Sequence, residues 1–429
     1  MRTRISRRAS RQQIGLLIVC LWGISGSAIA APFVDVAYVG NKNTQSRLLD
    51  DQLGLIFPIE LTPAEVEAAA QTLMNLGLFE SVTAVADGET LQFTVEEKSY
   101  LLAYPRLSLN GDGESSYGVT GVWDNLHGLN HKMKVTLRQS KVKEVERDTE
   151  NRFTLSYQAP AVLRSSWNLG GSLDIGNSFI TQDPADGGQE FDESRLRLEA
   201  NLGRRLENSD LVNGASISGQ FGYWMIDRRA DVDDISELES DGTLYVGVVA
   251  AYRQIEFRLY SEYGRTAGYR LDLSVPTAPD SFHFVEHVIH ATWQLHGYKS
   301  LPHHNLNFRA EARVFTGGPP ATAAYDFGNS VVRGIGKGEI DGNLSLSSGV
   351  EYLAPFTHSN SLRWLAFADV GAVVDHYDDI RLDDVNMSIG GGIRWRPSWF
   401  VSVELEIAIA YLLNDGSMSG VGGLNRIEG

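Results

Sequence analysis

The sequence predicts a small α+β module followed by an all-β transmembrane barrel of about 15–16 antiparallel strands. Three observations carry that reading. Between residues 100 and 413 helical periodicity stops, and segments of about ten residues alternate apolar with polar, as at Lys132–Arg138, Arg152–Tyr157 and Arg195–Leu202. The linkers alternate in length: Asn177–Ser194 and Asp227–Asp241 are long and acidic, whereas Ala159–Ser166 and Arg204–Gly214 are shorter. The first thirty residues have the layout of a secretion signal.

Residues 1–30 combine a basic start (Arg2, Arg4, Arg7, Arg8, Arg11), an apolar run at Ile14–Ile24 and the small-residue site Ala28-Ile29-Ala30. The run is too short to span a membrane as a helix. Cys20, the one cysteine, leaves with this segment, which excludes disulfide and thiol chemistry in the remainder. Removing five arginines and no acids takes the charge from 37 − 54 = −17 to 32 − 54 = −22. That acidity argues against nucleic acid as a partner. No later window of eighteen residues is uninterruptedly apolar, so no transmembrane helix is expected.

Residues 32–99 read as β-α-α-β-β. Phe33–Val39 alternates as a strand ended by Gly40-Asn41, and Thr44 is the expected cap of a first helix reaching Leu53. Thr62-Pro63-Ala64-Glu65 has the capping-box order with proline at the first helical position. Val66, Ala69, Ala70, Leu73 and Leu76 would form the buried stripe of that helix, and Gly77 ends it. Phe79–Ala86 and Thr90–Val95 then form a hairpin across Asp87-Gly88.

In the strand region, Arg195, Arg197 and Glu199 interleave with Leu196, Leu198 and Ala200, and Glu404 and Glu406 with Val403, Leu405 and Ile407. Charges on one face and apolar residues on the other suit a wet interior and a lipid exterior. Arg253–Pro276 can be cut as one strand or two. Gly317–Gly342 is a long glycine-rich loop between alternating segments, and such loops are usually functional. At its heart stands Val332-Arg333-Gly334-Ile335-Gly336, followed by Glu351-Tyr352, Phe367-Ala368-Asp369-Val370-Gly371 and Gly390-Gly391-Gly392-Ile393-Arg394-Trp395. Phe367, Asp369 and Gly371 share a face by period two. The tail Asn414–Gly429 is rich in glycine, lacks aromatic residues and alternates poorly, so Val401–Leu412 is expected to be the last robust strand and the tail frayed.

Chemistry of other kinds is not visible. His283, His287 and His290 lie in a strand with His290 on the opposite face, so no metal centre is expected. Gly390–Gly392 follows no strand-to-helix context and is not a nucleotide loop. Neither a cofactor site, nor a serine elbow, nor a nucleophile with an evident base is present, so the chain is not expected to be an enzyme.

The ordered series around Arg333 resembles the BamA/TamA superfamily of outer-membrane assembly and secretion barrels. The resemblance implies that the loop folds into the barrel and that Arg333 meets acids on the inner wall, Asp369 first and Glu351 second. Ile335 departs from the pattern, where the family usually has an aromatic residue. Val39-Gly40-Asn41, Gly77-Leu78-Phe79-Glu80-Ser81-Val82 and Val95-Glu96-Glu97-Lys98 resemble a single POTRA domain, which implies a periplasmic receiver of client proteins. The layout implied is a signal at 1–30, POTRA at 32–99, barrel at 100–413 and tail at 414–429. The implied function is insertion, assembly or translocation of other proteins in the outer membrane of a Gram-negative bacterium. Lipid, unfolded or exported clients and periplasmic accessory proteins would be its partners, and a loosely paired seam near Ala103–Asn110 its working edge. Two alternatives stand beside it: a two-partner-type secretion pore for one dedicated client, and a structural or diffusion barrel without insertase activity.

Overall fold

The structure is a computed structural model that describes residues 32–426 apart from 110–114, 142–148, 163–165, 182–189, 207–208, 230–240, 276–281, 297–300, 302, 320–324, 327–330, 336–340, 357 and 402. The segments 1–30, Gly336, Gly338 and the end of the tail lie outside these residues.

The N-terminal module comprises β1 (Asp35–Val39), α1 (Ser46–Leu53), α2 (Pro63–Met74), β2 (Phe79–Asp87) and β3 (Thr90–Glu97). Its sheet has the order β1-β3-β2, with β1 parallel and β2 antiparallel to β3. Alternate residues of β3 (Leu91, Phe93, Val95) are buried against Leu48, Leu49 and Leu73 of the helices. Each fully buried Leu or Phe contributes about 2 kcal/mol, which makes this cluster the source of the module's stability. The Thr62–Glu65 capping box forms as read from sequence. Thr44 is not the cap of α1. Gln45 occupies that position without a side-chain bond, and the Thr44 hydroxyl instead meets Tyr100 Oη at 3.0 Å and accepts from Asn125 Nδ2 at 2.9 Å. Gly40 has φ +93°, and a Cβ there would stand 2.1 Å from the Val95 carbonyl, so the chain passes β3 only because this residue has none.

The rest is one antiparallel sheet. Its strands are β4 (Leu101–Leu109), β5 (Ser115–Leu126), β6 (His131–Lys141), β7 (Thr149–Ala159), β8 (Trp167–Thr181), β9 (Glu190–Arg205), β10 (Gly214–Arg229), β11 (Asp241–Arg258), β12 (Ser261–Val275), β13 (His283–His296) and β14 (Asn305–Gly318). After two short loop strands, β15 (Tyr325–Asp326) and β16 (Asp341–Gly342), come β17 (Leu344–Phe356), β18 (Ser359–Val374), β19 (Asn386–Trp395), β20 (Val403–Leu412) and β21 (Met418–Arg426). The sixteen strands follow chain order from β4 at one edge to β21 at the other, with β14 against β17. Arg253–Pro276 is therefore two strands, turning at Leu259-Tyr260.

The tail reading is corrected. Met418–Arg426 pairs antiparallel with β20 from Tyr411↔Met418 to Val403↔Arg426. A two-edged sheet leaves β20 a full row of unpaired backbone groups, and satisfying them outweighs the poor strand propensity of Gly420, Gly422 and Gly423. With sixteen strands, the first and last run in opposite directions.

The sheet rolls up at the module end. Ser99, just before β4, donates its N–H to the Trp399 carbonyl between β19 and β20 at 2.7 Å, and Arg396 reaches across to Glu262 of β12 at 3.0 Å. Among the described residues β4 and β21 do not pair, so each leaves one strand edge open. One face carries exposed apolar residues (Leu198, Phe221, Ile289, Trp293, Trp364, Ile407), while the other buries Asp272, Glu286, Arg363, Asp369 and Glu406. A water-soluble barrel has the opposite arrangement. No helix of the described residues is long and apolar enough to cross a membrane.

Candidate functional site: an arginine latch on the inner wall

The loop after β14 lays Val331–Ile335 on the inner faces of β17–β20. Val332 and Ile335 are buried with Val331, Val373 and Leu412 in an apolar cluster, so Ile335 fills by aliphatic packing the place where an aromatic residue is usual. Gly334 has φ +104°, and a Cβ on it would sit 2.9 Å from that of Ala410. The small residues Ala408 and Ala410 on β20, together with Gly390 and Gly392 on β19, make the wall flat enough for the loop to lie down.

That placement aims Arg333 at Asp369. Nε donates to Oδ2 at 2.6 Å and Nη2 to Oδ1 at 3.0 Å, the two-point geometry that only a guanidinium provides. Nη1 donates to Glu351 Oε2 at 3.0 Å, and the guanidinium lies 3.7 Å from the centre of the Phe367 ring. Phe367 in turn covers Gly390, where a Cβ would be 2.2 Å from the ring. Gly349 is kept free in the same way, because a Cβ there would be 2.4 Å from Asp369 Oδ1. Gly371 shares the inward face of β18 with Asp369, opposite Ser347.

Each acid has a second cation. Arg309 of β14 pairs with Asp369 Oδ1 at 3.0 Å and also donates to the Val331 carbonyl at 3.3 Å, holding the loop backbone. Arg394 of β19 grips Glu351 by both nitrogens, at 2.6 and 2.7 Å, and pairs with Glu406 of β20. These three guanidiniums and three carboxylates belong to a longer network that runs from Arg394 through Glu404 to Arg363, Arg396 and Glu262, shielded from water except at Arg309. Buried pairs of this kind add little net stability, yet removing one partner is costly because a charge is left stranded. The network fixes a geometry.

The motif residues Val332, Arg333, Gly334, Ile335, Glu351, Asp369 and Gly371 thus come together here. Arg309, Arg394 and Glu406 were not singled out as members. The available signal was period two: Arg394 faces inward with Gly390 and Gly392, and Glu406 lies opposite it in register. What was missing is which strands become neighbours of the loop.

The other motif set, Gly40, Asn41, Gly77 and Phe79, shapes the module. Asn41 Nδ2 donates to the Thr44 carbonyl at 3.1 Å, Phe79 is fully buried, and the Gly77 carbonyl accepts from Lys98 Nζ at 3.1 Å. The module packs against the turns at one end of the rolled sheet. Gln71 Nε2 donates to the Phe257 carbonyl at 2.8 Å, and Asn75 Oδ1 accepts the Phe257 N–H at 3.0 Å. The Phe257 ring lies between Lys98 Nζ at 4.4 Å and the Arg396 guanidinium at 4.9 Å. Leu211 and Val401, from the turns after β9 and β19, enter the module's own core. Burial, with the Arg396 charge behind it, pushes Lys98 down to about 7.

Comparison with known proteins is consistent with this geometry. The profile of the Omp85 superfamily domain matches residues 125–416. No curated protein matches the chain by sequence. Among solved structures, BamA from Haemophilus ducreyi lacking POTRA domains 1–3 superposes with a TM-score of 0.55 at 14% identity, over 92% of this chain and 84% of that one. CdiB from Acinetobacter baumannii gives 0.59 at 14% identity, over 92% and 73%, and CdiB from Escherichia coli 0.62 at 13%, over 93% and 75%. At such identities the likeness establishes the fold, an outer-membrane-type β-barrel.

Proposed function

Because the chain belongs to the Omp85 superfamily, we propose that it assists the insertion and assembly of other proteins in the outer membrane, working at the seam between β4 and β21. The observation that carries this reading is that β4 and β21 are left unpaired with one another among the described residues, while the loop is latched on one wall and the module is docked on the turns at one end. Unpaired N–H and C=O groups in lipid are costly, so such an edge is a template for an incoming strand. Pro105 in β4 lacks a donor, and the glycines of β21 pack poorly, which keeps the seam weak.

We read residues 32–99 as a single POTRA domain on the periplasmic side, where it meets clients before they reach the seam. The β-α-α-β-β order supports this, as does the match over 92% of the chain, which extends past the barrel strands into the module. Depleting the protein and comparing outer-membrane proteomes tests the reading. A fall in several barrel proteins is expected. Loss of a single exported protein would establish the secretion-pore alternative, and an unchanged proteome would establish a barrel without assembly activity.

A further inference from the structure

Away from the latch, the inner wall carries a row of arginines. Arg138 of β6 lies directly opposite Arg152 of β7, Arg152 opposite Gly176 of β8, and Gly176 opposite Arg195 of β9. Like charges facing one another across strands destabilise a sheet. Here three cations stand in one row of a chain whose overall charge is strongly negative. Arg152 has a partner in Asp174, which accepts from its Nε at 2.9 Å. The buried Nε of Arg195 has no hydrogen-bond partner, and Asp174, Glu150 and Glu193 act on its charge without forming an ion pair with it among the described residues.

Gly176 keeps open the notch between Arg152 and Arg195, since a Cβ there would come within 3.3 Å of Arg195 Nε and 3.7 Å of Arg152 Cγ. The notch opens on a cavity of about 340 Å³ bordered also by Arg197, Arg270, Arg313 and Trp224 and by two carboxylates, Asp174 and Glu286. The other three arginines have their own carboxylates: Glu199 at 2.7 Å from Arg197, Glu286 at 2.8 Å from Arg270, and Glu311 at 2.7 Å from Arg313. Among the described residues Arg195 is the cavity arginine without a carboxylate at ion-pair distance, Asp174 being engaged by Arg152. We propose that the notch between Arg152 and Arg195 is a binding site for a phosphoryl oxyanion entering from the end of the barrel opposite the module. A planar guanidinium fork presents two donors to such a group, and a second cation across the glycine completes the clamp.

The oxyanion could be free phosphate or the phosphorylated headgroup of a saccharide, and two probes separate these sources. The folded full-length protein in zwitterionic detergent at low ionic strength would be titrated calorimetrically with pyrophosphate and with a phosphorylated glucosamine disaccharide. One saturable site is expected for at least one probe. Tighter binding of the disaccharide assigns the headgroup, and equal or tighter binding of pyrophosphate assigns the free anion. Arg195→Gln should weaken binding at least tenfold, Arg195→Lys less so, and Arg258→Gln, at the opposite end, not at all. A second readout does not depend on binding: in anion-free buffer Arg195→Gln should unfold at a higher temperature than the unsubstituted protein, because it relieves repulsion. Absence of saturable binding with both probes, or equal binding by the unsubstituted protein and Arg195→Gln, overturns the proposal.

Discussion

Arg333 joins a loop to two strands through Asp369, Glu351 and the Phe367 ring, so its replacement is felt in several places at once. Truncating one member of a buried charge group costs about 3–5 kcal/mol. In Arg333→Ala the lower end, about 3 kcal/mol, is expected, because Arg309 still faces Asp369 and Arg394 still holds Glu351. The barrel should fold while the loop becomes open to protease, with a lowered temperature for the heat-modifiable gel shift. Arg333→Lys should recover little, since an ammonium cannot make the two-point contact with Asp369. Full protection of the loop in Arg333→Ala would show that Val332 and Ile335 hold it without the charges. The Arg333–Asp369–Glu351 grouping was legible through the resemblance to a known barrel superfamily, whereas period two by itself places Phe367, Asp369 and Gly371 on one face without saying what meets them. Arg309 was not, since its place depends on β14 and β17 becoming neighbours across a long loop.

Among the elements, α2 and the β11–β12 turn decide whether the module stays docked. Phe257→Ala removes a buried ring held between Lys98 and Arg396, a change that typically costs about 3–5 kcal/mol. Faster proteolysis or hydrogen exchange within residues 32–99, with the barrel unaffected, is the expected result. Lys98 makes docking pH-dependent. Its folded value of about 7 lies below the ordinary 10.5, so the undocked or unfolded state binds more protons between these limits. Stability should therefore rise as pH increases from about 7 towards 10, and Lys98→Met should flatten that rise. An equal slope in both proteins would assign the dependence to other groups. The helices of this module were readable from capping and periodicity, down to the Thr62–Glu65 box. Misreadings fell where a tertiary partner overrides local preference: Thr44 is drawn to Tyr100 and Asn125 instead of capping α1, and β21 forms along β20 despite its glycines.

At the scale of the whole molecule, alternation and linker lengths sufficed for a barrel and nearly for its strand number, because each strand pairs with its neighbour in sequence. Closure was not legible, since it depends on residues as far apart as Ser99 and Trp399, separated by 399 − 99 = 300 positions. The account rests on the seam that this closure leaves. The sole cysteine is Cys20, outside residues 32–426, so cysteines placed in the barrel are without background there. A cysteine at Ala103 in β4, combined in turn with cysteines at Gly420 and Gly422 in β21, gives a reversible lock wherever a disulfide forms. The decisive measurement is assembly of a client barrel by the locked protein in proteoliposomes. Assembly should fall at least tenfold on oxidation and return with reductant, whereas a locked protein as active as the reduced one would contradict a working seam between β4 and β21.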